Sequence, residues 1–126
     1  MDVPTEFPVY VLAHAEAINR NDGEPEIADV GWLFYLVLEG PVISSWGLLV
    51  FTDRDLATKK ANSIRGNRVS VVRVMSGSKL REIAKAWWDK DPVLNGWAVI
   101  DYDEQKDVND LLIRIDDFCE GLAGLE

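Results

Sequence analysis

The pattern of apolar and polar positions divides the chain into an early run of strands and a later alternation of strands and helices. The sharpest transition lies in residues 46–61, WGLLVFTDRDLATKKA. Leu48, Leu49, Val50 and Phe51 make a continuous apolar run, as a buried strand does. Leu56, Ala57 and Ala61 then recur at helical spacing. Between them, Thr52 with Asp55 three residues later has the register of a capping box, Asp replacing the usual Glu. A strand feeding a helix so directly predicts a βα unit, and the rest of the chain can be laid out around it.

Upstream, residues 7–13 (FPVYVLA) read as a first strand, with Pro8 favouring an edge or a strand start. Residues 16–30 are polar and carry the turn signals Asn21-Asp22-Gly23 and Pro25. They predict a long loop, or a short helix around Ala13–Ile18 followed by a loop. Residues 32–38 (WLFYLVL) are the strongest strand, and their near-continuous hydrophobicity predicts a central place in the sheet. Glu39-Gly40-Pro41 is a turn. Val42 and Ile43 start a return that Trp46 to Phe51 complete, so the first three strands predict an antiparallel meander.

Downstream, the helix from Asp53 ends near Arg65, with Gly66 placed as its stop. Residues 68–75 (RVSVVRVM) are a further strand, and a strand–helix–strand unit predicts a parallel crossover. Ser76 or Ser78 caps a helix whose apolar face is Leu80, Ile83, Ala84 and Trp87. Asp91-Pro92 and Asn95-Gly96 bound a loop before a strand at Trp97–Ile100. Val108, Leu111, Leu112, Ile115, Phe118, Cys119 and Leu122 form one apolar stripe of a last helix. Asp107 is its N-cap and Gly121 or Gly124 its stop. The expected architecture is a single α/β (or α+β) domain over residues 1–126. It has a mixed five-stranded sheet and about three helices in the order βββαβαβα.

Composition narrows the function classes. The chain has 126 residues, 48% hydrophobic and 28% charged, an ordinary globular mixture able to bury a core. A formal charge of −9 argues against general nucleic-acid binding. The one cysteine allows no intrachain disulfide and fits a reducing compartment. Met1-Asp2-Val3-Pro4 has no basic n-region, and no apolar run approaches the roughly 20 residues that span a bilayer. These features predict a cytoplasmic protein without a membrane partner.

The charge is laid out in blocks. Residues 1–52 hold eight acids and one base, a net of −7. Residues 53–85 hold three acids and nine bases, a net of +6. Residues 86–126 hold eleven acids and three bases, a net of −8. Such blocks serve either as solvated faces that complement one another or as a basic patch that steers an acidic partner.

The piece LLVFTDRDLA, with an aromatic strand before it and a valine-rich strand after it, resembles the N-terminal domain of the SseB family. That family was named for enhanced serine sensitivity and has bacterial relatives. Leu49, Val50, Phe51, Thr52, Asp53, Leu56 and Ala57 carry the resemblance, and the surrounding pattern extends it over residues 32–75. It implies an α/β domain and brings no catalytic residue with it.

Four chemistries can be weighed from the residues. Ligands of open α/β sheets bind beyond the carboxyl ends of parallel strands. On the predicted layout that edge collects Asp53, Asp101 and Asp103, hard oxygen ligands suited to Mg²⁺. Asp101 and Asp103 share a face if the strand persists that far; turn and cap chemistry explains the same residues. Ser76, Gly77 and Ser78 open a helix and suit an anion, with Lys79 and Arg81 nearby, although plain capping uses the same atoms and no Walker loop is present. His14, the only histidine, shows no partner pattern for a triad. Cys119 lies on an apolar stripe beside Asp116, Asp117 and Glu120, an environment that disfavours a thiolate.

The five tryptophans say more. Trp32 and Trp46 fall in strands and serve the core. Trp87 and Trp88 are adjacent on a helix and point about 100° apart, so they cannot be equally buried. With Trp97, Pro92 and Leu94 they form either a second small core or an exposed aromatic patch, the residue class enriched at binding hot spots. The favoured reading is a small accessory or regulatory protein-interaction module that binds another protein. Trp87, Trp88, Trp97, Arg81 and Lys85 are its partner-binding residues. This reading invokes no cofactor and no reaction, and leaves the enzyme question open. An immunity-type inhibitor is the more specific form, since small acidic proteins can mask basic enzymes. The alternative is a metal-dependent hydrolase or transferase with Asp53, Asp101 and Asp103 at the carboxyl edge of the sheet.

Overall fold

The computed structural model describes residues 3–21, 24–27, 31, 33–39, 44–64, 68–90 and 96–124. The strands are β1 (Val9–His14), β2 (Ile18–Asn21), β3 (Glu24–Ile27), β4 (Tyr35–Glu39), β5 (Ser44–Val50), β6 (Val69–Val74), β7 (Gly96–Ile100) and β8 (Leu112–Arg114). The helices are α1 (Arg54–Ser63), α2 (Gly77–Lys90) and α3 (Ile115–Ala123). The fold is mixed α/β. Six strands form two sheets, β1–β6 and β4–β5–β7–β8, and β2 and β3 pair as a separate hairpin.

The two sheets are stitched at β1. Tyr10 N–H donates to Phe51 O at 2.7 Å, and Phe51 N–H donates to Tyr10 O at 2.8 Å. The β1 strand therefore lies beside the end of β5 while its other edge pairs antiparallel with β6. Side chains alternate along each strand and supply two cores. Val9, Val11, Val72, Val74, Leu48, Val50, Ala98 and Ile100 face α2 and α3, where they meet Leu80, Ile83, Trp87, Phe118 and Leu122. Leu12, Leu49, Phe51 and Val99 face α1 and meet Ala57. Phe118 is fully buried. Its truncation to Ala costs about 3–5 kcal/mol in lost transfer energy and cavity formation.

The strand–helix junction at residues 46–61 forms as predicted, with one change in its cap. Asp53, not Thr52, is the N-cap of α1, and its carboxylate accepts from Asp55 N–H at 2.8 Å. An Asp is as good a cap as a Thr, and here Thr52 is occupied elsewhere. The α2 face is as predicted, with Leu80, Ile83, Ala84 and Trp87 all buried.

Pairing departs from expectation in four places. The directly paired parallel strands are β5 and β7; β1 runs antiparallel both to β6 and to the end of β5, so β5 and β6 are parallel and the predicted strand–helix–strand crossover forms across β1, not between adjacent strands. The connection between β5 and β7 contains α1, β6 and α2. Residues 35–39 form an end strand of the four-stranded sheet and not its centre, and Tyr35 and Val37 are 41% and 58% exposed. Ile18–Asn21 and Glu24–Ile27, expected as loop, are antiparallel paired strands with Asn21 opposite Glu24. The short helix expected near Ala13–Ile18 is one 3₁₀ turn, Ala15–Ala17.

The fourth departure is the last helix, which is shorter than its apolar stripe. Val108–Leu111 is a 3₁₀ turn capped by Asp107, and Leu112–Arg114 is a strand antiparallel to β7. Only residues 115–123 are α-helical, and Gly124 is the C-cap. Pairing with the open edge of β7 overrides helical periodicity here. The β8 strand is thus the sixth of the two sheets, where five strands in one sheet were expected. Trp32, Gly40–Ile43, Arg65, Gly66, Asp91–Asn95, and Asp22 and Gly23 of the expected turn signal lie outside the described residues. Among the described residues, no helix is long and apolar enough to cross a membrane.

Candidate functional site

Two regions hold the residues singled out by sequence, and the structure treats them differently. The first is the carboxyl end of the parallel pair β5–β7. The β7 strand stops at Ile100 because Asp101 takes a left-handed conformation, φ 54°, unusual for a residue with a Cβ. Its N–H still donates to Val50 O at 2.9 Å. Its carboxylate accepts from Thr52 N–H at 2.6 Å and from the Thr52 hydroxyl. Asp101 thus pins the ends of two neighbouring strands together.

The neighbouring acids are held just as locally. Asp53 caps α1, and Asp103 accepts from Gln105 N–H at 3.1 Å. The expectation that Asp101 and Asp103 share a face of a persisting strand is corrected, because the left-handed turn at Asp101 ends that strand. Among the described residues, no group of three or more His, Cys, Asp or Glu side chains is placed to hold a metal ion. A small cleft of about 130 Å³ lies alongside, between α1 and Tyr102–Glu104. The Lys60 ammonium fills one side of it, 5.0 Å from the Tyr102 ring centroid.

The start of α2 is likewise a cap. Ser76 Oγ accepts from Lys79 N–H at 3.2 Å, which leaves Ser76, Gly77 and Ser78 as a capped helix start. His14 Nδ1 accepts from Glu16 N–H at 3.2 Å and caps the 3₁₀ turn.

The second region is the outer side of α2. Trp87 is 8% exposed and belongs to the core beneath α2 and α3. Trp88 is half-buried and packs on that core. Its ring covers Gly96, where a Cβ would come within 1.9 Å of it. Tyr35 from the end strand β4 joins them. Ring centroids lie 5.4 Å apart for Tyr35–Trp46, 6.2 Å for Tyr35–Trp87 and 6.5 Å for Trp87–Trp88, tilted contacts typical of attractive aromatic pairs. These four rings, with Gly31 and Lys90, line an open cleft of about 210 Å³.

Trp88 also lines a second groove, of about 340 Å³, between α2 and α3. Arg81, Lys85 and Asp89 stand on its α2 wall, and Asp116, Cys119 and Glu120 on its α3 wall. Arg81 Nε is buried without a hydrogen-bond partner. Burial pushes the Cys119 thiol above its ordinary range; Arg81 and Lys85 oppose that shift, while Asp116 and Asp89 add to it. Desolvation thus outweighs the acids that sequence alone had put first.

Of the five predicted partner-binding residues, Arg81, Lys85, Trp87 and Trp88 come together on α2. Trp97 does not. Gly96, Ala98 and Ile100 face α2 and α3, so strand alternation turns Trp97 to the α1 side with Val99. Tyr35 and Trp46 enter the cleft unannounced by sequence, because residues 35–38 are apolar at every position and show no exposed face. A scan against protein-family models finds no match for this chain, and no curated protein matches it.

Proposed function

We propose that this protein is a small accessory or regulatory interaction module that binds another protein through the outer side of α2. The observation that carries the reading is the cluster of Tyr35, Trp46, Trp87 and Trp88 around an open cleft. Aromatic side chains held rigid by their neighbours lose little entropy on binding and dominate hot spots. Val37, 58% exposed two residues along β4, widens the apolar surface next to Tyr35. The net charge of −9 supports an inhibitor- or immunity-type protein as the specific form, and a cytoplasmic setting belongs to the same reading. The weak SseB resemblance fits an accessory α/β domain and adds no residue role. The carboxyl-edge enzyme has no convergent ligand set among the described residues and is carried no further.

Site-specific photocrosslinking in cells tests the proposal. A benzoylphenylalanine replacing Tyr35 should yield a discrete adduct heavier than the chain. The same group replacing Lys59, exposed on α1 across the sheet, should yield none. Equal adducts from both positions, or none from position 35, would overturn it.

A further inference from the structure

The β4 strand stands where its sequence does not put it. Residues 32–38 (WLFYLVL) have the near-continuous apolar pattern of a strand buried on both faces. Yet β4 ends its sheet, with Tyr35 and Val37 exposed. Residues 30–52 carry a single charge, Glu39, in a chain that is 28% charged. Phe34 N–H donates to Leu12 O, so β1 reaches the approach to β4. Among the described residues, no strand pairs with the outer edge of Tyr35–Leu38 itself. Alternate residues there turn their N–H and C=O groups away from β5.

Folded proteins blunt such an edge with charge, proline or shortness, because open backbone groups recruit another strand. The other end strands are blunted in this way. The β8 strand has three residues and ends on Arg114, and β6 carries the exposed Arg73. Tyr35–Leu38 has none of these devices.

We infer that β4 is an interior strand of a larger sheet, completed by the β4 of a second copy of this chain running antiparallel across a twofold axis at Val37. The edge is self-complementary in that register, as a twofold contact requires. Val37 falls opposite Val37, Leu36 opposite Leu38 and Tyr35 opposite Glu39, so no like charges meet. Self-pairing also suits the charge of the whole chain. Two copies at −9 repel each other and approach best where charge is missing, and the β4–β5 stretch is that part of the sequence. An edge contact of five residues a side lies at the small end of specific interfaces, so the dimer depends on concentration. The inference goes beyond the interaction reading above. It uses the backbone edge of β4 and leaves the cleft of Trp46, Trp87 and Trp88 to a different protein.

Sedimentation of the full chain over a wide range of concentration tests this. The average mass should rise from one chain toward two, and added salt should strengthen the dimer by screening the repulsion. Val37→Lys sets two like charges directly opposite and should weaken the dimer about tenfold or more. Val37 is exposed in the single chain, so Tm of this variant at low concentration should match wild type. The register is read with cysteines in a Cys119→Ser background. Val37→Cys should oxidise to a disulfide-linked dimer, because opposed residues of antiparallel strands have Cα atoms about 4.5–5.5 Å apart. Tyr35→Cys should not, because its counterpart in the second copy lies four residues along, roughly 14 Å away.

A mass of one chain at every concentration would overturn the proposal. So would a dimer that survives Val37→Lys and forms no disulfide through Val37→Cys, or equal disulfide yields from positions 35 and 37. The photocrosslink at position 35 judges the interaction reading separately: an adduct of twice the chain mass reports the second copy, and any other mass reports the partner.

Discussion

The carboxyl end of the β5–β7 pair and the outer side of α2 make an instructive contrast. Both collect side chains with chemical potential, acids at one and aromatic and basic groups at the other. At the strand ends each candidate carboxylate has a local partner: Asp53 caps α1, Asp101 binds Thr52 twice, and Asp103 binds the Gln105 amide. Beside α2 the rings of Tyr35 and Trp88 remain accessible and have no hydrogen-bonded task among the described residues. A group already satisfied within the fold has little left to offer a ligand. Unused capacity, more than residue type, separates a structural cluster from a binding surface.

Mutation can break this contrast at several points. The largest effect is expected from Asp101→Ala, which removes both hydrogen bonds from Thr52 and leaves a Cβ residue at φ 54°. Together these should cost about 2–4 kcal/mol, a fall in Tm on the order of 10 °C, with no effect on partner binding. Asp101→Asn keeps an acceptor and tolerates the left-handed conformation, and should restore most of the loss. If Asp101→Ala were to retain wild-type stability, the pin would be dispensable and the contrast would fail.

Gly96→Ala comes next. Its Cβ would overlap the Trp88 ring, so the ring must move out of its packed position. Overpacking of this kind costs about 1–3 kcal/mol. Tryptophan fluorescence should shift to the red as Trp88 gains solvent. Because the displaced ring borders both the cleft and the groove, partner binding should fall with stability, unlike the outcome at Asp101. An unshifted emission spectrum would place Trp88 elsewhere.

The Cys119 thiol gives a third, pH-dependent test. Its folded-state pKa is raised, chiefly by burial. The neutral thiol is therefore favoured in the folded state. The stability it contributes is fully present below the ordinary thiol pKa and declines as pH rises through the raised one. Iodoacetamide should modify the native chain more slowly than the unfolded chain near pH 8, with the native rate climbing at higher pH. Removing Lys85 by Lys85→Ala should slow native alkylation further, since Lys85 is one of the charges that hold the pKa down. A rate above that of the unfolded chain would mean an activated thiolate and contradict the burial argument.

The smallest effect on stability is expected from Arg81→Met. This change removes a buried donor that nothing satisfies and keeps most of the apolar stem. Thermal unfolding should show Tm unchanged or slightly raised, within about 1 kcal/mol. A clear loss of stability would show that Arg81 has a structural partner.

Local chemistry was well marked along the chain. The Leu48–Phe51 run, the apolar face of α2 and the caps at Asp107 and Ser76 were readable, because strand burial, helical periodicity and short-range capping involve residues close in sequence. Arg81, Lys85, Trp87 and Trp88 were found together because one helix carries them. Tyr35 and Trp46 were missed because they arrive from a different sheet strand. Trp97 was misassigned because its facing depends on which side of the sheet α2 covers.

Sequence by itself therefore determined the element types over most of the chain, the α/β class, the acidic charge and the aromatic content of α2. Tertiary structure alone decided strand partnership: β1 beside β6, β5 parallel to β7, and a strand in place of the first turns of the last helix. The physical reason is that an open strand edge is satisfied by whichever extended segment reaches it, and backbone hydrogen bonding carries no record of sequence distance. The same holds for the candidate site. Its four rings meet only when β4, β5 and α2 are packed side by side.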